Sequence, residues 1–479
     1  MLLGIDIGTT NIKVIAYDPF GRIAAIASVV TPAYSPQPGW VEHDAEIMWH
    51  AVVTAIRQVL HRVDARQVLA VAVAGVGESG VLLDAQGRAL VPIIAWHDER
   101  TVPIFSRWLE QHGQHMACEI AGMPAKPIYS LFKLMWLREH YSEAYAAATR
   151  FLCLSDYIAF RLSGVQASDY SMASRTMLFD LYHRRWSSAL LDSGGLRHDL
   201  MPELVPAGQP IGALTAQASG ETGLISGTIV AAGGHDHIVG ALAAGVTHAG
   251  QCLDSLGTAE AVFMPLDQTP APEIPLQSGC IVGAHVARDR LYALEGLWSG
   301  GGSVAWIRDI LTPNTKGFAA LEQLAAEAEP ASMGVMFVPR LSGGQRGSFV
   351  GLSMASSRAD MARAVYEGLA FEWRRYLELL EGAFGVHADH IRLTGGGSRS
   401  HIWVQIKAAV LGRPLHVLEL EESVALGCAL LAGLACGTFA TEEAAIRSVP
   451  VRERIVTPDP ALCDVYEHCY REEYLRVSR

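Results

Sequence analysis

The sequence predicts an α/β fold made of two related halves, and three observations predict it. A strand, a tight Gly-Thr turn and a second strand occur at Gly4-Ile-Asp6-Ile-Gly8-Thr9 and again at Asp254-Ser-Leu-Gly257-Thr258. A coarse internal duplication accounts for the repeat. Short apolar runs with strand patterning alternate with amphipathic helical stripes on both sides of the midpoint. The chain has 479 residues, more than one hydrophobic core supports, so two domains are expected.

Composition narrows the function classes. Half of the residues are hydrophobic and 18% are charged, as in ordinary globular proteins. The net charge of −12 makes non-specific nucleic-acid binding unfavourable. If the protein binds an anion such as ATP, local backbone N–H groups, a metal and a few placed cations must hold it. The eight cysteines contain no CxxC pair and read as reduced core residues of a cytoplasmic protein. No signal peptide is expected, because Met1-Leu-Leu-Gly-Ile-Asp6 reads directly as strand. Two long uncharged runs, 23–41 and 423–441, are not expected to span a membrane. Pro32, Pro36 and Pro38 break the first, and Gly427, Gly433 and Gly437 dilute the second into a buried Ala/Gly-rich helix.

In the first half, residues 2–8, 12–18 and 23–30 read as three antiparallel strands joined by tight turns. The turn at Gly8, Thr9 and Thr10 offers open N–H groups and two hydroxyls, which suit phosphate oxygens. A bare hairpin turn reads the same way, and the P-loop pattern GxxxxGK[ST] is absent. Asp6 beside it is placed to hold Mg²⁺ through water. A helix follows Asp44, with Trp49, Val52, Val53, Ile56, Val59 and Leu60 as its apolar stripe. A strand over 68–76 ends at Gly77-Glu78-Ser79-Gly80, and one over 89–95 ends at Trp96-His97-Asp98-Glu99-Arg100. Ligands bind beyond strand ends in α/β proteins, which makes Glu78, Trp96, Asp98 and Arg100 substrate candidates. An internal Asp98–Arg100 pair is the other reading. Helices are expected over 130–140, 154–163 and 186–191, and the Ser/Asp-rich stretch 167–174 reads as turn chemistry.

The middle of the chain reads strand (228–232), two glycines, then Asp236 between His235 and His237, then helix. Asp236 is either a helix N-cap or a functional carboxylate. The Gly-Thr turns on either side favour the second. In the later half, Gly300, Gly301 and Gly302 open a helix, and 335–339 is a short strand. A long helix over 360–380 carries Met361, Ala364, Val365, Leu369, Trp373, Tyr376 and Leu380 on one face. A strand over 390–394 runs into Gly395-Gly396-Gly397-Ser398. Three glycines let backbone approach a flat ligand, and an ordinary strand-to-helix turn reads similarly. Lys407 and Glu422 frame the same region. The GxGxxG spacing of a dinucleotide-binding dehydrogenase is missing.

Two longer patterns make a family resemblance specific. Gly347-Ser-Phe349-Val-Gly351-Leu352 is followed, after seven residues, by Asp360-Met361-Ala-Arg-Ala364-Val-Tyr-Glu367. Ser130-Leu-Phe-Lys133-Leu-Met-Trp136-Leu137-Arg-Glu139-His140 forms the other, departing only at its opening position, Ile128. Over essentially its whole length the chain resembles the FGGY carbohydrate kinases. The resemblance implies two ribonuclease-H-like domains of the actin-like ATPase kind around a central cleft. Residues 1–243 would carry the sugar and the first phosphate loop, and 244–479 the second phosphate loop and the adenosine site. Gly8, Thr9 and Thr10 would form the first loop, with Lys13 near the phosphates, and Gly257 and Thr258 the second. Gly395, Gly396, Gly397 and Ser398 would lie against adenosine. Asp6 would be linked to Mg²⁺ and Asp236 would be the catalytic base. Glu78, Trp96, Asp98 and His235 would line the sugar pocket with Asp236.

The implied activity is ATP-dependent phosphorylation of a sugar or polyol hydroxyl. A xylulose-like ketopentose comes first. Glycerol or a tetritol, or an aldonate such as gluconate facing Arg100 or Lys133, are the alternatives. A catalytically silent sugar- or nucleotide-binding regulator is the reading of another class. The expected partners are a small sugar or polyol and a second copy in a homodimer, with no nucleic acid and no membrane. His235 and His237 are not expected to bind a transition metal. Three departures stand out. Ala259 replaces the serine of many relatives, and the loop through Leu341-Ser-Gly-Gly344-Gln345-Arg346 is short. The Met-His of xylulose kinases is absent at Gly77-Glu78-Ser79.

Overall fold

The computed structural model describes residues 1–297, 299–341 and 346–478. These form two compact units. The first comprises Met1–Thr247, Asp267–Tyr292 and Glu422–Pro450, and the second His248–Leu266, Ala293–Glu421 and Val451–Arg479.

The first unit is built on a mixed sheet in the order Pro210–Ala213, Ile229–His235, Ala70–Gly75, Leu2–Ile7, Asn11–Tyr17, Ile23–Val30. Leu2–Ile7 pairs antiparallel with Asn11–Tyr17, setting Asp6 opposite Lys13, and parallel with Ala70–Gly75. Ala70–Gly75 in turn runs parallel to Ile229–His235. Central strands of such a sheet are covered on both faces and read as continuous apolar runs. Accordingly, Ala70–Gly75 is buried throughout and Leu2–Ile7 at every residue but Asp6. One face is covered by the helix Ala45–Leu60, whose start is capped by Asp44 through the N–H groups of Glu46 and Ile47. The helix Ser423–Ala435 lies directly on Leu2–Ile7: a Cβ at Gly4 would sit 1.9 Å from the Ala425 carbonyl oxygen. The run over 423–441 therefore holds the expected buried Ala/Gly-rich helix. Among the described residues no helix is long and apolar enough to cross a membrane.

The second unit repeats the plan. Its strand order is Leu291–Leu297 (which joins this unit at Ala293), Glu260–Leu266, Gln251–Leu256, His390–Thr394, Leu415–Glu419, Arg452–Val456. Gln251–Leu256 is antiparallel to Glu260–Leu266 and parallel to His390–Thr394. His390–Thr394 is parallel to Leu415–Glu419, which pairs antiparallel with the edge strand Arg452–Val456. The first sheet has the same sequence of parallel and antiparallel neighbours from its hairpin outwards, closing on antiparallel Pro210–Ala213. The long helix Arg358–Phe384 starts at a Ser357–Asp360 capping box. It buries Ala364, Val365, Leu369, Trp373 and Leu380. Gly368 lets the strand Met336–Val338 lie against it, because a Cβ there would meet the Phe337 carbonyl oxygen at 2.0 Å.

Two expected elements differ. The strand over 89–95 is reduced to Ile93–Ile94, paired with Glu42–His43. Pro92 within that run has no N–H to donate to a ladder. The helix over 186–191 is shifted to Ser188–Ser193, because the Ser187 hydroxyl caps it through Leu190 N–H, while Arg185–Trp186 pairs with Phe179–Asp180. All eight cysteines are free thiols.

Candidate active site

In the first unit the three parallel strands Leu2–Ile7, Ala70–Gly75 and Ile229–His235 end on the same edge of the sheet. Gly8-Thr9-Thr10, Glu78 and Asp236 follow those ends, which is why residues far apart in sequence share one neighbourhood. The last strand shifts register between Ala231 and Gly234. Glycine is required inside that irregularity: a Cβ at Gly233 would lie 1.8 Å from the Val73 carbonyl oxygen. Directly beyond it the helix Asp236–Ala243 begins, with His235 in the N-cap position and no side-chain cap. Asp236 accepts a 2.6 Å hydrogen bond from the His237 N–H, so it satisfies one of the donors orphaned at a helix start. Its side chain keeps 25% exposure. Burial pushes its pKa up to about 7, with the charges of Asp6 and Glu78 adding to the rise and the His237 N–H and Arg175 opposing it.

The environment of the two neighbouring histidines favours their neutral forms. Burial and the nearby Arg175 guanidinium hold His235 well below the ordinary imidazole range and bring His237 to about 4. His235 Nδ1 stands 3.1 Å from Asp236 Oδ1. The contact is not aligned as a hydrogen bond, and a neutral ring makes it no ion pair. The His235 N–H instead donates to Ser171 Oγ at 3.0 Å. Ser171 is aimed by the short helix Tyr170–Ser174, which Asp169 caps through the Ser171 and Met172 N–H groups. The Ser/Asp-rich stretch, expected as turn chemistry, is instead the strand Ala167–Asp169 followed by this helix; the Asp169 side chain caps the helix N-terminus rather than closing a turn.

Arg175 follows that helix and was not legible as a site residue. Its only sequence signal is a lone cation ending a polar stretch. It is buried and donates to Glu78 from Nε at 2.8 Å, with Nη2 2.5 Å away. Glu78 is also buried and sits in the left-handed region at φ 65°, a conformation that costs a non-glycine residue energy. The Ser130 hydroxyl holds its carbonyl at 2.9 Å.

Trp96 donates from Nε1 to Thr9 Oγ1 at 3.0 Å, tying its loop to the first Gly-Thr turn. Asp98 turns inward. It accepts from Val41 N–H at 2.6 Å and from Arg100 N–H, Nε and Nη2 at 2.8–2.9 Å. Arg100 also reaches Glu42 at 2.6 Å and lies 3.9 Å over the Trp40 ring. The internal pair is thus what the structure holds. Lys133 is buried and donates to the carbonyls of Trp96 and Ile128. Burial lowers its pKa to about 8 against the opposing pull of Glu78 and Asp98.

The first turn is closed by Gly8 N–H to Asn11 O at 3.1 Å and tied to Thr31 through Gly8 O and Thr10 O. Thr9 and Thr10 are exposed. Burial lifts Asp6 to about 7, with the Lys13 charge opposing and Glu422 reinforcing. Lys13 is engaged by both oxygens of Glu422 at 2.6 and 2.8 Å.

In the second unit the turn after Gln251–Leu256 closes one residue tighter, Gly257 N–H to Ala259 O at 3.1 Å. Gly301 and Gly302 N–H donate to Gly257 O and Thr258 O, each at 3.0 Å. Gly301, in the first turn of the helix Gly300–Leu311, is required for this contact, since a Cβ there would stand 2.3 Å from Gly257 O. The loop after His390–Thr394 lies beside it. Gly395 (φ 88°) faces the Leu256 carbonyl and Gly397 faces Trp403, both too closely for a side chain. A Cβ at Gly396 would meet nothing. Ser398 is buried, its hydroxyl donating to Gly395 O at 2.8 Å. Ser400 caps the helix His401–Leu411, as expected. Lys407 in that helix points to Asp254 and Glu260, and Glu422 to Lys13. Trp298 and the core of the short loop, Ser342–Gln345, lie outside the described residues.

Comparison with known proteins gives the class. The N-terminal domain of the FGGY family of carbohydrate kinases matches residues 1–243, and the family's C-terminal domain matches residues 253–436. The chain belongs to this family. It is similar to a xylulose kinase of Bacillus subtilis, 29% identical over 92% of this chain and 89% of the relative. It is also similar to a glycerol kinase of Saccharolobus islandicus, 30% identical over 91% and 88%. A solved xylulose kinase from Rhodospirillum rubrum superposes with a TM-score of 0.92, at 26% identity, over 99% of this chain and 98% of that one. The protein is an ATP-dependent sugar phosphotransferase with two actin-like ATPase domains.

Proposed function

We propose that the protein transfers the γ-phosphoryl group of ATP to a hydroxyl of a xylulose-like ketopentose, with Asp236 as general base. The buried but reachable Asp236 carboxylate, at the strand edge shared with Asp6 and the first Gly-Thr turn, carries this reading. Phosphoryl transfer demands mainly positioning and charge stabilisation. Asp236 aims the hydroxyl and takes its proton, and a pKa near 7 suits that task. Residues 1–243 carry the sugar and first phosphate site, in which Gly8, Thr9 and Thr10 present N–H and hydroxyl donors. Residues 244–479 carry the second, at Gly257 and Thr258, and the adenosine site at Gly395–Gly397, with Ser398 bracing that loop. Glu78, Trp96 and His235 border the sugar, and Asp98 acts on it indirectly by holding the Trp96 loop. Lys13 approaches the phosphates from its pairing with Glu422.

Mg²⁺ fits at Asp6. The lone carboxylate beside a phosphate-type turn is the usual protein share of a Mg²⁺ site, the remaining ligands being phosphate oxygens and water. Among the described residues no cluster of three or more His, Cys, Asp or Glu forms a cage that would compete. When bound, the ion neutralises charge on the phosphates. A cytoplasmic homodimer completes the proposal.

The ketopentose is favoured by the xylulose kinases among the relatives. Glycerol or a tetritol is the second reading, favoured by a glycerol kinase at 30% identity beside 29% for the xylulose kinase and by Glu78 in place of Met-His. An aldonate lacks support from Arg100, which is committed to two carboxylates. A coupled ADP-release screen over pentuloses, hexuloses, tetritols, glycerol and aldonates tests the assignment. Turnover confined to glycerol or an aldonate would overturn the ketopentose, and turnover retained by Asp236→Ala would overturn the base.

A further inference from the structure

Lys407 has no part in the proposed reaction, yet it is fully buried and joins three elements of the second unit. Its ammonium contacts Asp254 and Glu260, with all three side chains at most 1% exposed. It also stands 4.6 Å over the Trp373 ring. Asp254 and Glu260 sit on the two strands that flank the Gly257-Thr258 turn, and Lys407 sits on the helix that follows the Gly395–Gly397 loop. Glu260 brings in a further element, because a Cβ at Gly300, at the start of the helix Gly300–Leu311, would lie 3.0 Å from its Oε2. The N-terminus of a helix favours a carboxylate there. Burial and the neighbouring Glu260 carboxyl push the Asp254 pKa well above the ordinary carboxylate range, with Lys407 opposing, so two carboxyl groups share a single cation. Removing one partner from such a buried cluster leaves uncompensated charge.

We infer that Lys407 is a positioning residue for the nucleotide: it clamps both legs of the second Gly-Thr turn to the helix that carries the glycine-rich loop. The turn and the loop then keep a fixed spacing when ATP binds, and Lys407 itself touches no ligand. This rests on the reading that the turn and the loop are the phosphate and adenosine contacts.

The test compares three forms of the full chain by steady-state kinetics and thermal denaturation. Lys407→Met alone leaves two buried carboxylates and can fail to fold. The triple variant Lys407→Met, Asp254→Asn, Glu260→Gln removes the clamp without leaving a charge, and buried ionic clusters replaced together are often tolerated. The triple variant is expected to fold and to raise KM for ATP on the order of 10–100-fold, the scale of an ångström-sized misplacement, with KM for the sugar unchanged. A folded triple variant with native KM for ATP overturns the inference, as does an equal rise in both KM values. Gly396→Val is the control, since a side chain there meets open space. If Gly396→Val leaves ATP affinity native, the adenosine reading itself fails. If it weakens ATP while the triple variant does not, the clamp alone fails.

Discussion

Asp236 shows how one residue carries two opposing demands. Its folded pKa of about 7 lies above the ordinary carboxylate value of about 3.9, so the native state binds the proton more tightly than the unfolded chain. Stability is therefore undiminished below pH 4, falls as the pH rises, and reaches its low plateau above pH 7. Asp236→Asn is expected to abolish turnover and to raise thermal stability at pH 8 by on the order of 2–4 kcal/mol, the gain shrinking towards pH 4. Calorimetry at both pH values checks it, and an equal gain at each would refute the charge argument. The wild-type rate is expected to fall on the acid side below about pH 7. Asp6 rises to the same value, so the limb belongs to the coupled carboxylates rather than to one of them. Glu78, Arg175 and His237 also face Asp236, and a pH–rate profile with no acid limb between pH 5 and 8 would contradict this. Sequence placed Asp236 correctly at a helix start, because strand, glycines and helix were contiguous. Arg175 stayed hidden because its partner Glu78 lies 97 positions away, and nothing local records a long-range ion pair. Asp98 was ambiguous for the opposite reason: an inward pair and an outward ligand share one local pattern.

At the scale of elements, the tightest constraint is backbone against backbone. Gly4 lies under the Ala425 carbonyl, and a Cβ there would stand at 1.9 Å. No side-chain rotation relieves that contact, so strand and helix must separate. Gly4→Ala is expected to destabilise the first unit by about 1–3 kcal/mol or more, seen as a lower melting temperature with unchanged KM values in the surviving protein. Gly113→Ala, by contrast, meets no atom but imposes a left-handed φ of 68° on a side chain, and a smaller loss is expected. Strands and helices with clear periodicity were readable. The shortfall at 89–95 arose from Pro92, whose missing N–H outweighed an apolar run that otherwise read as strand.

For the molecule as a whole, duplication was legible from a handful of residues around two turns, and the two sheets carry it through their strand order. What sequence order does not disclose is that Asp267–Tyr292 and Glu422–Pro450 belong to the first unit. A segment ending at residue 243 lacks the helix Ser423–Ala435 that buries one face of Leu2–Ile7. Expressed alone it is expected to be insoluble or partly unfolded, and circular dichroism with proteolysis checks this. A cooperative, protease-resistant fragment would contradict it.

The open space beside Gly396 has a practical consequence. A single cysteine placed there is open to a chromogenic thiol reagent, and on the proposed adenosine reading bound nucleotide would shield it, so its reaction rate reports nucleotide occupancy. Of the eight native thiols only Cys436 and Cys463 are even partly exposed, so two conservative replacements would leave a background of buried sulfurs that react slowly with labelling reagents. The same vacancy that makes Gly396 dispensable to the fold would turn this enzyme into its own optical reporter.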